Sequence, residues 1–164
     1  MTPAITLEEL LAWNDEAAVF WNEHLAANPA LLELPCGIGG AATVQQFVRH
    51  IWGVELRWAQ VVAHQPITTG ANVPTGPVVA LFGLHVAAMQ ICRRLLDDPS
   101  QDWSETITLP YDWLPQHLRS ASRRKLLAHG LFHSQRHWAQ LATLVRAAGF
   151  PSEFKGDLLF TTLA

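Results

Sequence analysis

The sequence predicts an all-α protein, a four-helix bundle with long connections. Four stretches of about 20 residues repeat apolar side chains with a period near 3.6. Each is bracketed by capping residues, proline or glycine. The composition, 49% hydrophobic and only 15% charged, suits a chain that buries a substantial core.

The first helix is read from Leu7 to Ala27. Thr6 with Glu9 forms a capping box that satisfies orphan N–H groups. Leu7, Leu10, Leu11, Ala18, Trp21 and Leu25 make its stripe, and Asn28-Pro29 ends it. The second runs from Val44 to His64, opened by a second capping box, Thr43 with Gln46, and striped by Phe47, Ile51, Val54, Trp58 and Val61. The third starts at Pro77, a residue suited to the first helical position. Val78, Leu81, Phe82, Met89, Cys92 and Leu96 form its stripe. The fourth runs from Ser120 to Ala148, with Leu126, Gly130, Leu141, Leu144 and Ala148 on one face and Gly149 as its stop. "ETITL" before it reads as a short strand, but one strand makes no sheet. The tail after Pro151 is expected as a packed coil, because "DLLF" is too apolar to leave in water.

The connections are longer than a simple up-and-down bundle needs. About 12 extended residues reach about 40 Å, further than the roughly 32 Å of a 21-residue helix, so crossovers are allowed. At 164 residues the whole chain, 1–164, is expected to be one domain. A net charge of −3 argues against a nucleic-acid partner. Two cysteines are too few for a disulfide framework. "MTPAITLEEL" lacks the features of an export signal, and no apolar run approaches the roughly 18 residues of a membrane span. A soluble cytoplasmic protein with no membrane association is expected.

Chemistry concentrates in "HGLFHSQRHWAQ". His133 and His137 lie about 40° apart on one helix, in the sector of Leu126, Gly130, Leu141 and Leu144. His50 sits at the edge of the second stripe, His85 within the third, and Asn14 at the centre of the first. Several imidazoles facing one apolar interior need partners, since an unpaired buried polar group costs about 1–3 kcal/mol. A metal ion takes up their lone pairs. An i, i+4 histidine pair is a bidentate arm, and His50 is the best third donor. Three imidazoles leave an open position, the pattern of a catalytic site. His129, at the edge of the buried sector, is read as holding a ligand's tautomer. The alternative for His85 is a core histidine hydrogen-bonded to a carbonyl or a tyrosine. His24, His64 and His117 are read as surface or edge residues.

Other chemistries fail on the same residues. No Glu-x-x-His occurs, so a ferritin-like di-iron centre is excluded. "HSQRH" lacks the glutamate of a metalloprotease helix. With two Met and no C-x-x-C-H, haem attachment has little support. Cys92 lies on a buried stripe, where an inert thiol is the simpler reading than a nucleophile.

"FVRHIWGVELRWAQ" and "HGLFHSQRHWAQLATLVRAAGF" resemble the DinB/YfiT-like four-helix proteins. The family pattern H-x4-E-x2-W falls on His50, Glu55 and Trp58, and H-x3-H-x2-Q on His133, His137 and Gln140. "AWNDEAAVFWNEHL", with Asn14, resembles the family's first helix. The resemblance implies an up-down-down-up order, with residues 65–76 as the long crossover. It implies one divalent metal ion per chain, zinc or nickel, on His50, His133 and His137, and a homodimer. It also implies a thiol-dependent transferase or isomerase acting on a small molecule with a low-molecular-weight thiol such as mycothiol or bacillithiol. A hydrolase-like use of metal-activated water is the related reading. A non-catalytic metal-binding or stress-associated interaction protein is the alternative. Asn14, Glu55, His85 and His129 are expected around the metal as pocket or supporting residues, with Glu55 and His129 handling protons. His85 is expected near the metal but not on it. Two departures stand out: the extra His85, and Trp138 where the family often has arginine, which is expected to alter the pocket or dimer surface.

Overall fold

The computed structural model describes residues 5–150 and 152–162. Its four long helices are α1 (Leu7–Ala27), α2 (Val44–Val62), α3 (Val78–Asp97) and α4 (Arg123–Ala147). α1 packs on α3 and α4, and α2 packs on the same two, so α1 and α2 face each other across the diagonal.

Side-chain pairs at different levels give the helix directions. Trp13 meets Phe132 and Trp21 meets Trp138, so α1 and α4 run parallel. Trp52 packs on Trp138 while Trp58 packs on His129, so α2 and α4 are antiparallel. Trp52 lies against Phe82 and Glu55 bonds His85, so α2 and α3 are parallel. The order is up-down-down-up. Two parallel neighbours in sequence demand a crossover, and α2 holds its own in place. Arg49 donates to the carbonyls of Gly70, Val73 and Pro74, and Gln45 donates to that of Gly76. Val73 is buried against Gly53, where a side chain would crowd its methyl groups.

The Thr6–Glu9 capping box is fully formed. The second is half formed: Thr43 accepts from the Gln46 N–H, but the Gln46 side chain accepts from Ala42 instead of closing on Thr43. α2 ends two residues before the expected His64. That residue turns into the left-handed region at φ 52°, and the Gln60 side chain pairs with Thr68 just beyond. Pro77 is the residue before α3, extended at ψ 157°, and not its first turn.

The largest correction lies ahead of α4. Residues 120–122, expected as helix, form β2 (Ser120–Ser122), which pairs antiparallel with β1 (Thr106–Thr108). The strand in "ETITL" therefore has a partner. The hairpin buries Ile107 and brings Glu105 to Arg123, whose guanidinium also donates to the carbonyl of Val62 near the end of α2. Arg123 thus ties the start of α4 to the end of α2.

The tail packs differently from expectation. Phe154 sits on Phe20 and Trp21, and Trp13 donates to the carbonyl of Gly156. Leu159, in contrast, is 87% exposed. Ala148, assigned to the α4 stripe, is also exposed, while Val145 takes its place in the core. Trp138 is fully buried against Trp21 and Trp52, so it shapes neither a pocket nor an outer surface. α3 corrects the expectation that no segment approaches a membrane span. By length and composition it is apolar enough, with mean hydropathy 1.4, because interspersed polar residues do not cancel its Val, Leu and Ala content. Its apolar face is spent inside the bundle, on Leu81, Leu84, Ala88, Met89 and Cys92.

α2 and α4 approach closely at Gly130, where an added Cβ would lie 2.8 Å from the Cβ of Trp58. Gly130→Ala must therefore separate α2 from α4, an overpacking loss expected at about 1–3 kcal/mol. Gly83→Ala on α3 meets nothing within 4 Å and should be neutral or stabilising. Urea midpoints of the two variants check this, and an unshifted Gly130→Ala midpoint would disprove the tight contact.

Candidate metal centre

His50 of α2 and His133 and His137 of α4 meet where the antiparallel pair crosses. One ring nitrogen from each lies within 4.8 Å of the others. His137 is buried, His133 half-buried and His50 exposed, so the cluster sits at the bundle's edge and is open on one side. Phe47, one turn before His50, presses against the His137 ring at 5.0 Å.

The tautomer of His137 follows from its neighbours. Its Nδ1–H donates to Oε1 of Gln140 at 2.6 Å, one turn further along α4. That leaves Nε2 with the lone pair, directed at Nε2 of His133 3.1 Å away. Arg136 donates to the same Nε2 at 3.4 Å, which agrees with an acceptor there. The glutamine of H-x3-H-x2-Q thus fixes which nitrogen of His137 faces the cluster.

All three rings are held neutral. Burial, aided by the nearby His137, His50 and Arg136, pushes His133 down to about 3. Burial also lowers His50 and His137. Neutral imidazoles with converging lone pairs are the form that binds a cation. Nδ1 of His133 is buried with no hydrogen-bond partner among the described residues. The donor set fits a divalent metal ion: three nitrogens, one open side, and no carboxylate in the group.

The residues expected around the metal divide. His129 is one turn from His133, with ring centroids 6.4 Å apart, and it packs edge-on against Trp58. Asn14, Glu55 and His85, expected as pocket or supporting residues, are hydrogen-bonded to one another and to Asp15, with no hydrogen bond among the described residues to His50, His133 or His137. They form a separate network in the bundle's middle. Asn14 donates to Glu55, whose other oxygen accepts from Nδ1 of His85 at 3.0 Å. Nε2 of His85 donates to Asp15 at 2.8 Å, and Arg93 donates to the same carboxylate at 2.5 Å. Gln135 of α4 joins by donating to the carbonyl of Trp13. Both His85 nitrogens face carboxylates, so the ring is an imidazolium, paired neither with a carbonyl nor with a tyrosine. Burial opposes that charge, but Glu55 and Asp15 outweigh it and raise His85 to about 9. Cys92, beneath this network, is pushed up to about 12 by burial and is inert as a nucleophile. Asp15, Arg93 and Gln135 were missed from sequence. The one available signal was Asp15 beside a stripe-centred Asn14, each able to reach a different neighbour.

Fold and site together define a four-helix-bundle protein with a three-histidine group able to hold a metal ion. The DinB family model matches residues 2–158, and the chain belongs to that family. No curated protein matches it.

His85 makes stability depend on pH with a known sign. A histidine whose folded pKa is raised contributes stability fully below about pH 6.5, and loses it as pH rises through about 9. The melting temperature should therefore fall between those values. Glu55→Ala should cost about 3–5 kcal/mol by stranding the imidazolium, and should flatten the alkaline decline. Melting curves from pH 6 to 10 test both, and an unchanged slope in Glu55→Ala would refute the charge pairing.

Proposed function

We propose that this protein is a metal-dependent enzyme that activates a thiol or a water molecule at His50, His133 and His137. The observation that carries the reading is the convergence of three neutral imidazoles on one open-sided point. A divalent ion held there lowers the pKa of a bound water or thiol, so that a nucleophile is available at neutral pH. Gln140 keeps the His137 lone pair turned inward, and Phe47 shields its ring from water. His129, whose pKa burial lowers, is neutral near pH 7 and placed to accept a proton beside the cluster.

The competing reading is a non-catalytic metal-binding or stress-associated interaction protein. It gains if a fourth protein ligand closes the site. The residue that raised this possibility, His85, has both ring nitrogens engaged with Glu55 and Asp15. The catalytic reading extends, through the family resemblance, to zinc or nickel as the metal, a low-molecular-weight thiol as co-substrate, a small-molecule substrate, and a homodimer acting in the cytoplasm.

Purified protein is expected to carry about one zinc or nickel ion per chain. His133→Ala and His50→Ala should lose it, while His85→Ala should retain it. Elemental analysis reads this directly, and equal metal in wild type and His133→Ala would reject the site. Chelation should also lower the melting temperature reversibly, since a ligand at a hundredfold excess over Kd stabilises the folded state by about 2.7 kcal/mol.

A further inference from the structure

The longest connection, between α3 and α4, carries a feature the metal site does not use. A cavity of about 310 Å³ lies between it and the first turns of α4. Its walls include Trp58, Tyr111 and Trp113, which form a chain of rings. Tyr111 and Trp113 lie 5.8 Å apart, and Trp58 stands edge-on to Tyr111 at 6.3 Å. Trp113 is 77% exposed, whereas Trp21, Trp52 and Trp138 are fully buried. The Tyr111 hydroxyl is shut from water and has no hydrogen-bond partner among the described residues, so the aromatic wall contains a polar atom left unsatisfied.

Lys125 is the one lysine, arginine or carboxylate side chain among the residues that line this cavity. Lys125, His117 and His129 line it, and no carboxylate does. Lys125 and His129 also begin a ladder on α4. Lys125, His129, His133 and His137 follow one another at intervals of four, each one turn further along the helix and about 40° further round it. That ladder leads from the aromatic cavity to the three-histidine cluster, with His129 touching both: its ring is 4.9 Å from Trp58 and 6.4 Å from His133. The cluster itself contains no carboxylate, so a divalent ion there would keep its full charge and favour an anionic partner.

We propose that the cavity walled by Trp58, Tyr111 and Trp113 binds a small aromatic carboxylate, its ring against the tryptophans and its carboxylate along the Lys125–His129 edge. Flat apolar walls bury the ring system, and the lysine supplies a charge-assisted hydrogen bond that a neutral molecule of the same shape lacks. The proposal rests on the metal reading for what happens to the bound molecule, but not for whether it binds. An aromatic acid seated here has its acid end one helical turn from the cluster. The cavity thereby selects the substrate class for the same centre.

The test uses two probes of one shape, 1-naphthoate and 1-naphthalenemethanol, titrated calorimetrically into the full chain with zinc loaded and after chelation. One naphthoate should bind per chain, about tenfold more tightly than the alcohol, as expected for one added charge-assisted hydrogen bond. Trp113→Ala should weaken both probes. Because that residue is largely exposed, the fold does not depend on it. Lys125→Met should abolish the preference for naphthoate and leave the alcohol unchanged. Equal affinity for the two probes, unaltered binding in Trp113→Ala, or a preserved preference in Lys125→Met would each overturn the proposal. The chelated arm separates the two hypotheses. Naphthoate binding by the chelated protein supports the cavity on its own, and the metal reading fails separately if that protein takes up no zinc when zinc is returned. Protein that holds metal but binds no naphthoate sinks the cavity alone.

Discussion

The imidazolium of His85, clamped between Glu55 and Asp15, is the constraint on which the bundle's arrangement depends. Its partners come from α1 and α2, and its ring from α3, so the three helices share one level. Gln135 brings α4 to the same level through the backbone of α1. An apolar core of this kind tolerates sliding of one helix by a turn, because leucine and valine faces are interchangeable. A charge 1% exposed with two specific acceptors does not. Register follows, and with it the meeting of His50 with His133 and His137, which lie on the same α2–α4 contact about one turn away from the network's glutamate.

The two polar assemblies have opposite electrostatic designs. The inner one is balanced, with Glu55 and Asp15 against His85 and Arg93, and each of these four charged groups is hydrogen-bonded. The outer one is unbalanced: three imidazoles with no carboxylate in the group, neighbouring Arg136, and Nδ1 of His133 with no hydrogen-bond partner among the described residues. A balanced buried network resists change of state, whereas an electron-rich group with an open side invites a ligand. Placing them little more than one turn apart on α2, at His50 and Glu55, keeps the bundle rigid behind a site that is free to bind.

Much of this was legible in the sequence, for identifiable reasons. The helix boundaries at Leu7, Ala27 and Val44 were readable because a cap or an Asn-Pro pair marks each one locally. The histidine pair was readable because i, i+4 spacing fixes geometry without any tertiary information. His50 was reachable because it lies beside a clear stripe. The hydrogen bonds that join Asn14, Glu55 and His85 to one another were not readable, because periodicity places a residue on a face but says nothing about depth along the bundle or the partner across it. The strand at Ser120–Ser122 was hidden because a segment of three residues takes its conformation from its partner, Thr106–Thr108, and not from its own pattern. Fold direction came from the family resemblance, and the aromatic pairs of the structure bear it out.

The crossover gives the site a history during synthesis. α2 and α3 emerge early and lie parallel, but the surface they make for α1 and α4 stays incomplete until the last helix appears. At roughly 5–20 residues per second on a ribosome, α4 follows α2 by several seconds. His50 waits through that interval with neither of its companions. The three-histidine group is therefore incomplete in the unfinished chain, and it comes together in the same step that closes the hydrophobic core. Assembly of the group and completion of the core become a single event, so a truncated product ending before α4 would lack both.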